Sequence, residues 1–131
     1  LNLVHKLDLH NIVEIIPPQK YSSGTIGLLN DADFVITFSR WDGQARVLRE
    51  SFALGKPIIT NTETHFDRIL LKTKTGLITN SMMELSDLLV NLNDKKINLI
   101  KEKAINNQNE NAEYISWSRC ASRFLDTIER I

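Results

Sequence analysis

The sequence predicts an α/β fold in which parallel strands alternate with helices. Four short runs rich in apolar and β-branched residues lie within the first 80 residues, separated by segments with helical features, and only helical segments follow them. The connections between the runs are short. This alternation is typical of a parallel sheet with right-handed crossovers and helices on both faces.

Composition limits the class of protein further. The 131 residues, taken as one domain over 1–131, can bury a single hydrophobic core. Sixteen Lys and Arg balance sixteen Asp and Glu, so no net charge draws the chain to nucleic acid. The single cysteine, Cys120, excludes an internal disulfide, and neither a secretory signal nor an apolar run of membrane-spanning length is seen. We therefore expect a cytoplasmic protein.

The first strand is predicted at Ile12–Ile16. Pro17 and Pro18 end it, because proline cannot donate a hydrogen bond to a strand ladder. Before it, apolar residues recur at helical spacing from residue 1 to residue 9, as in the last turns of a helix already under way. We therefore expect the chain to be a fragment. A short helix is predicted within residues 21–30.

Residues 34–61 predict a complete strand–helix–strand unit. The strands are Phe34–Ser39 and Pro57–Thr60, whose apolar β-rich composition is expected of strands buried in a parallel sheet. Gly43 loosens the turn before the helix and Gly55 ends the helix. Ligands of open α/β sheets bind at such strand-to-helix turns, so this turn is a candidate binding site.

The remainder predicts a last strand and several helices. The strand is Gly76–Thr79. Capping boxes are predicted at Thr64 with Asp67 and at Ser81 with Glu84.

The C-terminal part is predicted to be helical from Asp94 to the end, with Ser116 capping the final helix. Trp117 and Phe124 of that helix are expected in the core. About four strands followed by C-terminal helices make a Rossmann-like architecture.

Two acids make the helix of the 34–61 unit a candidate ligand site. Asp42 opens this helix, whose first backbone amides are free and suit an anion such as phosphate. Those amides belong to Gly43, Gln44 and Ala45. Glu50 follows Asp42 by eight residues, which is about 12 Å along a helix axis. The two carboxylates would thus contact the hydroxyls of different parts of an extended ligand, such as a sugar and a ribose.

An ordinary structural role is the alternative. Asp42 could be a helix N-terminal acid, and Glu50 could pair with Arg46 one turn away. Arg40, Arg46 and Arg49 could contact phosphate or remain solvated. The sequence contains no dinucleotide, P-loop, zinc-protease or hydrolase motif, and no metal or cofactor is expected. Spacing alone leaves both readings open.

The residues around Asp42 and Glu50 form a longer sequence pattern that includes the two acids. They are Ser39, Asp42, Gly43, Glu50, Ser51, Ala53, Gly55, Lys56 and Pro57, with Ala32 and Asp33 before them and Thr75, Gly76, Leu77, Ser116, Trp117 and Ala121 after them. In this combination the chain resembles the C-terminal, donor-binding domain of GT-B glycosyltransferases of the retaining family 4 type. The resemblance covers residues 11–124.

The resemblance implies a site for a nucleotide-sugar donor that needs no metal. Glu50 would bind the ribose hydroxyls, and Asp42 would bind the hydroxyls of the transferred sugar. Amides of the turn between them would face the sugar or the diphosphate. The donor-binding residues implied are Ser39, Asp42, Gly43, Gln44, Ala45 and Glu50, and no catalytic residue is assigned.

The chain departs from the family pattern at three places. Asp42 stands where the family has Glu, which shortens the side chain by about 1.5 Å. Thr64 and His65 stand where the family often has Gly-Gly, and Arg68 where it often has Glu. The differences at Thr64, His65 and Arg68, which belong to one loop, indicate a changed substrate.

The resemblance also implies that part of a larger protein is absent. In the family this domain begins with two further strands and a basic pair that holds the donor diphosphate, and an N-terminal acceptor-binding domain precedes it. We therefore expect the fragment to be inactive alone. We also expect exposed sheet edges, which favour a dimer.

The expected function is donor binding in a glycosyltransferase that builds a cell-surface polysaccharide or a glycolipid. Expected partners are a nucleotide-sugar, the absent acceptor domain and a membrane-proximal acceptor, which places the protein in the cytoplasm or peripherally at the inner face of the membrane. Two alternatives stay open. One is a non-catalytic nucleotide-sugar-binding or assembly module with this fold, and the other is a sugar-nucleotide epimerase of GT-B architecture.

Overall fold

The computed structural model describes residues 2–20, 24–40, 46–109, 112 and 115–129. The fold is α/β, with a three-stranded parallel sheet in the described part of the chain. The strands are β1 (Val35–Ile36), β2 (Ile58–Thr60) and β3 (Gly76–Ile78). The helices are α1 (Asn2–Lys6), α2 (Ile26–Asp31), α3 (Arg46–Ala53), α4 (Asp67–Thr73), α5 (Met82–Val90), α6 (Asp94–Asn106) and α7 (Trp117–Ile128), with a 3₁₀ turn at Thr62–Thr64.

Strand β2 is the centre of the sheet, between β1 and β3. Ile58 is in register with Val35 on one side and with Gly76 on the other. Ile58 and Ile59 are both 0% exposed. Because successive side chains point to opposite faces of a strand, both faces of β2 are covered. Three of the predicted strands are thereby confirmed, each shorter than predicted.

The hydrophobic core lies where α3 and α4 pack against β2. Leu48 and Phe52 of α3 meet Phe66 and Leu70 at α4, and Ile58 of β2 completes the cluster. The rings of Phe52 and Phe66 are 5.6 Å apart and nearly perpendicular, at 87°. Edge-to-face packing of this kind is a favoured arrangement of aromatic rings. The buried side of α3 is thus fixed on the sheet.

The predicted first strand, Ile12–Ile16, is not a strand in the structure. After a turn at its start the segment has no regular secondary structure. Ile12 and Ile15 are 81% and 52% exposed. Strand-forming residues need a partner strand and a covered face, and no described strand pairs with this segment. The prediction of about four strands was therefore wrong for the described residues, which contain three.

Two predicted helix caps are confirmed. The Ser81 hydroxyl accepts a hydrogen bond from the Glu84 amide at 3.1 Å, and the Ser116 hydroxyl accepts one from the Arg119 amide at 3.2 Å. The Glu84 carboxylate in turn accepts a hydrogen bond from the Asn80 amide at 2.7 Å. These contacts satisfy amides that the helix itself leaves unpaired.

The cap predicted at Thr64 is wrong. Helix α4 begins two residues later than predicted, after Phe66, and the Phe66 side chain makes no capping hydrogen bond. The buried Thr64 hydroxyl instead donates to the Asn61 carbonyl at 3.0 Å and lies 3.1 Å from the Thr60 hydroxyl. His65 adopts the left-handed conformation, with φ of 55°, which separates the 3₁₀ turn from α4. Hydrogen bonds to residues three and four positions earlier in the chain have therefore replaced the cap.

Helix α6 approaches the end of α3 closely. Ala104 of α6 is 0% exposed. Gly55, which follows α3, has φ of +67°, and a Cβ atom on it would lie 3.0 Å from the Ala104 carbonyl oxygen. A side chain at Gly55 would therefore disturb both the left-handed backbone and this contact. The prediction that Gly55 ends its helix is confirmed.

Helix α7 leaves its apolar side chains exposed. Trp117 is 91% exposed and Phe124 is 66% exposed. The prediction that both lie in the core is therefore wrong. The physical reason is that α7 makes no extensive contact with any other element of the described chain. Its amphipathic pattern alone could not show whether the apolar side was covered.

Gly76 at the start of β3 has no room for a side chain. A Cβ atom there would overlap the Ile58 carbonyl oxygen and lie 3.0 Å from a methyl group of Leu70. We expect Gly76→Ala to lower the free energy of unfolding by about 1–3 kcal/mol, since the β2 backbone must shift. Gly27→Ala in α2 is the control, because nothing lies within 4 Å of its new methyl group. Urea denaturation measures both, and equal stabilities would contradict this account.

A charged pair links α6 to the turn before β1. Lys101 donates a hydrogen bond to Asp33. That bond and then the positive charge of Lys101 hold the pKa of Asp33 below its ordinary value, with a smaller contribution from Lys56 and against a small opposing effect of desolvation. The stabilisation is present above the ordinary aspartate pKa and is lost as the pH falls through the lowered pKa.

We expect Lys101→Met to raise the pKa of Asp33 toward its ordinary value, because both main causes of the shift disappear. An NMR pH titration of the Asp33 carboxyl carbon measures this. Lys96→Met, on an exposed residue of the same helix, is the control and should leave the Asp33 midpoint unchanged. An unchanged midpoint in Lys101→Met would show that the pair does not form.

Candidate functional site

A pocket lies between α3 and the start of α7, and we name it the α3–α7 pocket. Its volume is about 600 Å³. Small-ligand sites commonly span about 300–1,000 Å³. It is lined by Arg46, Arg49, Glu50, Ala53, Ile115, Trp117 and Cys120. Charged groups from α3 therefore face an indole, one aliphatic side chain and a thiol from the C-terminal part of the chain.

Glu50 enters this pocket because of its position on α3. The buried side of the helix carries Leu48, Ser51 and Phe52, with the Ser51 hydroxyl donating to the Val47 carbonyl at 2.7 Å. Glu50 lies beside these residues at the edge of that side. Its side chain is consequently 14% exposed. The rigid contact of α3 with the sheet therefore fixes where the carboxylate points.

The contact between Glu50 and Arg46 is weak. The Arg46 Nε and Glu50 Oε1 atoms are 4.0 Å apart, and the Arg46 side chain is 82% exposed. A hydrogen bond requires a shorter distance. A pair at this distance whose arginine is exposed to water contributes about 0–1 kcal/mol. The pairing proposed as the structural role of Glu50 is present, but it leaves the carboxylate free to accept hydrogen bonds from a ligand.

The predicted donor-binding residues divide into described and undescribed ones. Asp42, Gly43, Gln44 and Ala45 lie outside the described residues. Ser39 does not line the α3–α7 pocket. Its carbonyl accepts a hydrogen bond from the Asn61 side-chain amide at 2.9 Å, which ties the end of β1 to the end of β2.

Sequence reasoning missed the contribution of the C-terminal residues to this pocket. It placed Trp117 in the core and gave Cys120 no part in a ligand site. In the structure both line the pocket, and the Cys120 thiol is exposed and free. Only the tertiary arrangement brings α7 beside α3, so no local pattern could have revealed it.

A second cavity, the carboxyl-end cavity, lies beyond the carboxyl ends of the three strands. Its volume is about 600 Å³. The lining residues are Phe38, Arg40, Asn61, Glu63, Asn80, Ser81 and Met82. Sequence reasoning missed it as well. A signal was present, because a polar residue (Arg40, Asn61 or Asn80) follows each of the three predicted strands that the structure confirms.

The described residues contain no group of three or more His, Cys, Asp or Glu side chains placed to hold a metal ion. Within the same part of the chain, no helix combines the length and the apolar character needed to cross a membrane.

Comparison with known proteins adds no family to this geometry. The chain matches no protein-family model and no curated protein. The fold and the site together define the chain as an α/β domain with a charged and aromatic pocket beside its central helix.

Proposed function

We propose that the chain is the donor-binding part of a retaining glycosyltransferase, and that the α3–α7 pocket holds the nucleoside diphosphate of a nucleotide-sugar. The observation that carries the proposal is the largely buried Glu50 carboxylate beside two arginines and an exposed indole in one cavity. Parallel strands joined by helices support the Rossmann-like, GT-B part of the proposal.

Glu50 is suited to a ribose. A carboxylate is an acceptor-only group with two oxygens, and it can accept one hydrogen bond from each of two neighbouring hydroxyls. Low exposure strengthens such bonds because water competes less for the oxygens. With Arg46 at 4.0 Å, neither oxygen is held by a hydrogen bond from that side chain.

Arg46 and Arg49 are suited to the diphosphate. Both line the pocket from the same side of α3 as Glu50. The planar guanidinium group donates paired hydrogen bonds to phosphate oxygens and keeps its charge at all physiological pH values. The exposed Arg46 side chain can turn from Glu50 to a bound phosphate.

Trp117 is suited to the nucleobase. Its side chain is 91% exposed and lines the pocket opposite the charged residues of α3. Stacking of a base on an aromatic side chain contributes about 1–3 kcal/mol and tolerates any base. The pocket thus supports binding of a nucleotide without selecting its base.

The proposed parent reaction is metal-independent transfer of a glycosyl group with retention of configuration. Its product would be a cell-surface polysaccharide or a glycolipid, made on the cytoplasmic side of the membrane. Asp42 would contact the transferred sugar, and an N-terminal acceptor-binding domain would supply the second substrate. Donor binding, without turnover, is the activity proposed for this chain alone.

Calorimetric titration of the chain with uridine, guanosine and adenosine diphosphates tests the proposal. We expect at least one to bind. We expect Glu50→Gln, which keeps the side-chain volume, to raise its dissociation constant about ten- to a hundredfold, because hydrogen bonds to a charged group are lost.

The matched control is Glu102→Gln on α6, an exposed residue remote from the pocket lining. It should bind the nucleotide as the unmodified chain does. Equal affinity of the Glu50→Gln variant and the unmodified chain would remove Glu50 from the site. Failure of all three nucleotides to bind would contradict the proposed function.

A further inference from the structure

The three strands end at a cavity that the proposed nucleotide site does not use. We infer that this carboxyl-end cavity binds a neutral ligand rich in hydroxyl groups, of the size of a hexose. Open parallel sheets bind ligands beyond the carboxyl ends of their strands. The cavity of about 600 Å³ has the volume of a small-ligand site.

Asn61 gives the cavity an unpaired acceptor. Asn61 follows β2 directly and is 6% exposed. Its side-chain nitrogen donates to the Ser39 carbonyl at 2.9 Å, which fixes the orientation of the amide. Its Oδ1 atom is buried and has no hydrogen-bond partner. Buried acceptors in folded proteins are nearly always paired, so a donor from a ligand or from an ordered water is expected at this oxygen.

Thr79 adds a second unpaired group at the same end of the sheet. It follows β3, is 4% exposed, and its Oγ1 atom has no hydrogen-bond partner. Its backbone amide donates to the Thr60 carbonyl at 2.9 Å, which places it beside the residue that precedes Asn61. Thr79 does not line the cavity, so Asn61 is the residue that places an unpaired acceptor there.

The lining offers both donors and acceptors. Asn80 accepts a hydrogen bond from the Thr62 hydroxyl at 3.1 Å, which leaves its side-chain NH₂ group for a ligand. The Ser81 hydroxyl accepts from the Glu84 amide and retains its own proton to donate. A sugar hydroxyl donates and accepts at once, so it matches this mixture.

The charges of the lining favour a neutral ligand. Arg40 and Glu63 contribute one charge of each sign. The negative charge of Glu63 would repel a phosphate, and the positive charge of Arg40 would repel an amine. Phe38 and Met82 supply the apolar surface against which the CH groups of a sugar ring can pack.

Access to Asn61 requires a side chain to move. The Asn61 oxygen is itself covered, so a hydroxyl must enter at the base of the cavity. Arg40 is exposed and Met82 is 66% exposed, so both side chains can turn aside. The cavity shares no lining residue with the α3–α7 pocket. The inference therefore stands whether or not a nucleotide binds there.

The test is a titration of the isotope-labelled chain with D-glucose, D-galactose, D-mannose and N-acetyl-D-glucosamine, followed by ¹H–¹⁵N NMR. We expect at least one sugar to shift the side-chain amide signals of Asn61 and Asn80, with a dissociation constant on the order of millimolar for so small a ligand. Sodium phosphate at equal concentration should leave both signals in place.

Three variants locate the binding. Asn80→Ala, at an exposed position, should weaken it roughly fivefold, as expected for one lost hydrogen bond. Asn61→Leu should abolish it. Asn98→Ala, an exposed asparagine on α6, is the matched control and should change nothing. Because Asn61→Leu also removes the bond to Ser39, Asn80→Ala tests the site even if that variant does not fold.

Several results would overturn the inference. They are the absence of shifts with all four sugars, shifts confined to Glu50 and Ala53 at the other pocket, an Asn61 shift with phosphate, or an unchanged affinity in Asn80→Ala. None of these depends on the nucleotide titration, so the two proposals fail separately.

Discussion

The burial of β2 between two strands and beneath two helices is the constraint on which the rest of the structure depends. Ile58 and Ile59 point to opposite faces and both are fully covered. Complete burial of such a side chain contributes about 1.5–3 kcal/mol. The Thr60 hydroxyl, also buried, lies 3.2 Å from that of Thr37 and 3.1 Å from that of Thr64. Three threonine hydroxyls thus connect the end of β1, the end of β2 and the 3₁₀ turn before α4.

Both candidate sites follow from this arrangement. The contact of Phe52 with Phe66 and Ile58 holds α3 in one rotation about its axis. Glu50 is therefore presented toward α7 and not toward solvent on the far side of the helix. The parallel direction of the strands brings Asn61 and Asn80 to one edge of the sheet. The positions of the α3–α7 pocket and of the carboxyl-end cavity both depend on the packing around β2.

Local signals predicted most elements but not their tertiary partners. Two local signals predicted correctly. The apolar composition of residues 57–60 matches their burial in β2, and Ser81 accepts a hydrogen bond from a backbone amide of the helix that it was predicted to cap. Ile12–Ile16 has the same strand-forming composition as β2, yet lacks a described partner and stays exposed. Thr64 has the spacing of a cap, yet its hydroxyl bonds to Asn61 and Thr60, which precede it in the chain. The first failure reflects the lack of a described partner strand, and the second reflects competition for the hydroxyl from groups close in sequence.

Native-state hydrogen exchange tests the central role of β2 most directly. The amides of Ile58 and Thr60 should exchange only on global unfolding, as expected for the most stable part of a domain. Their exchange should be at least about a thousandfold slower, relative to unstructured peptide, than that of Ile12–Ile16, which corresponds to about 4 kcal/mol. Exchange at β2 as fast as in that exposed segment would contradict the account.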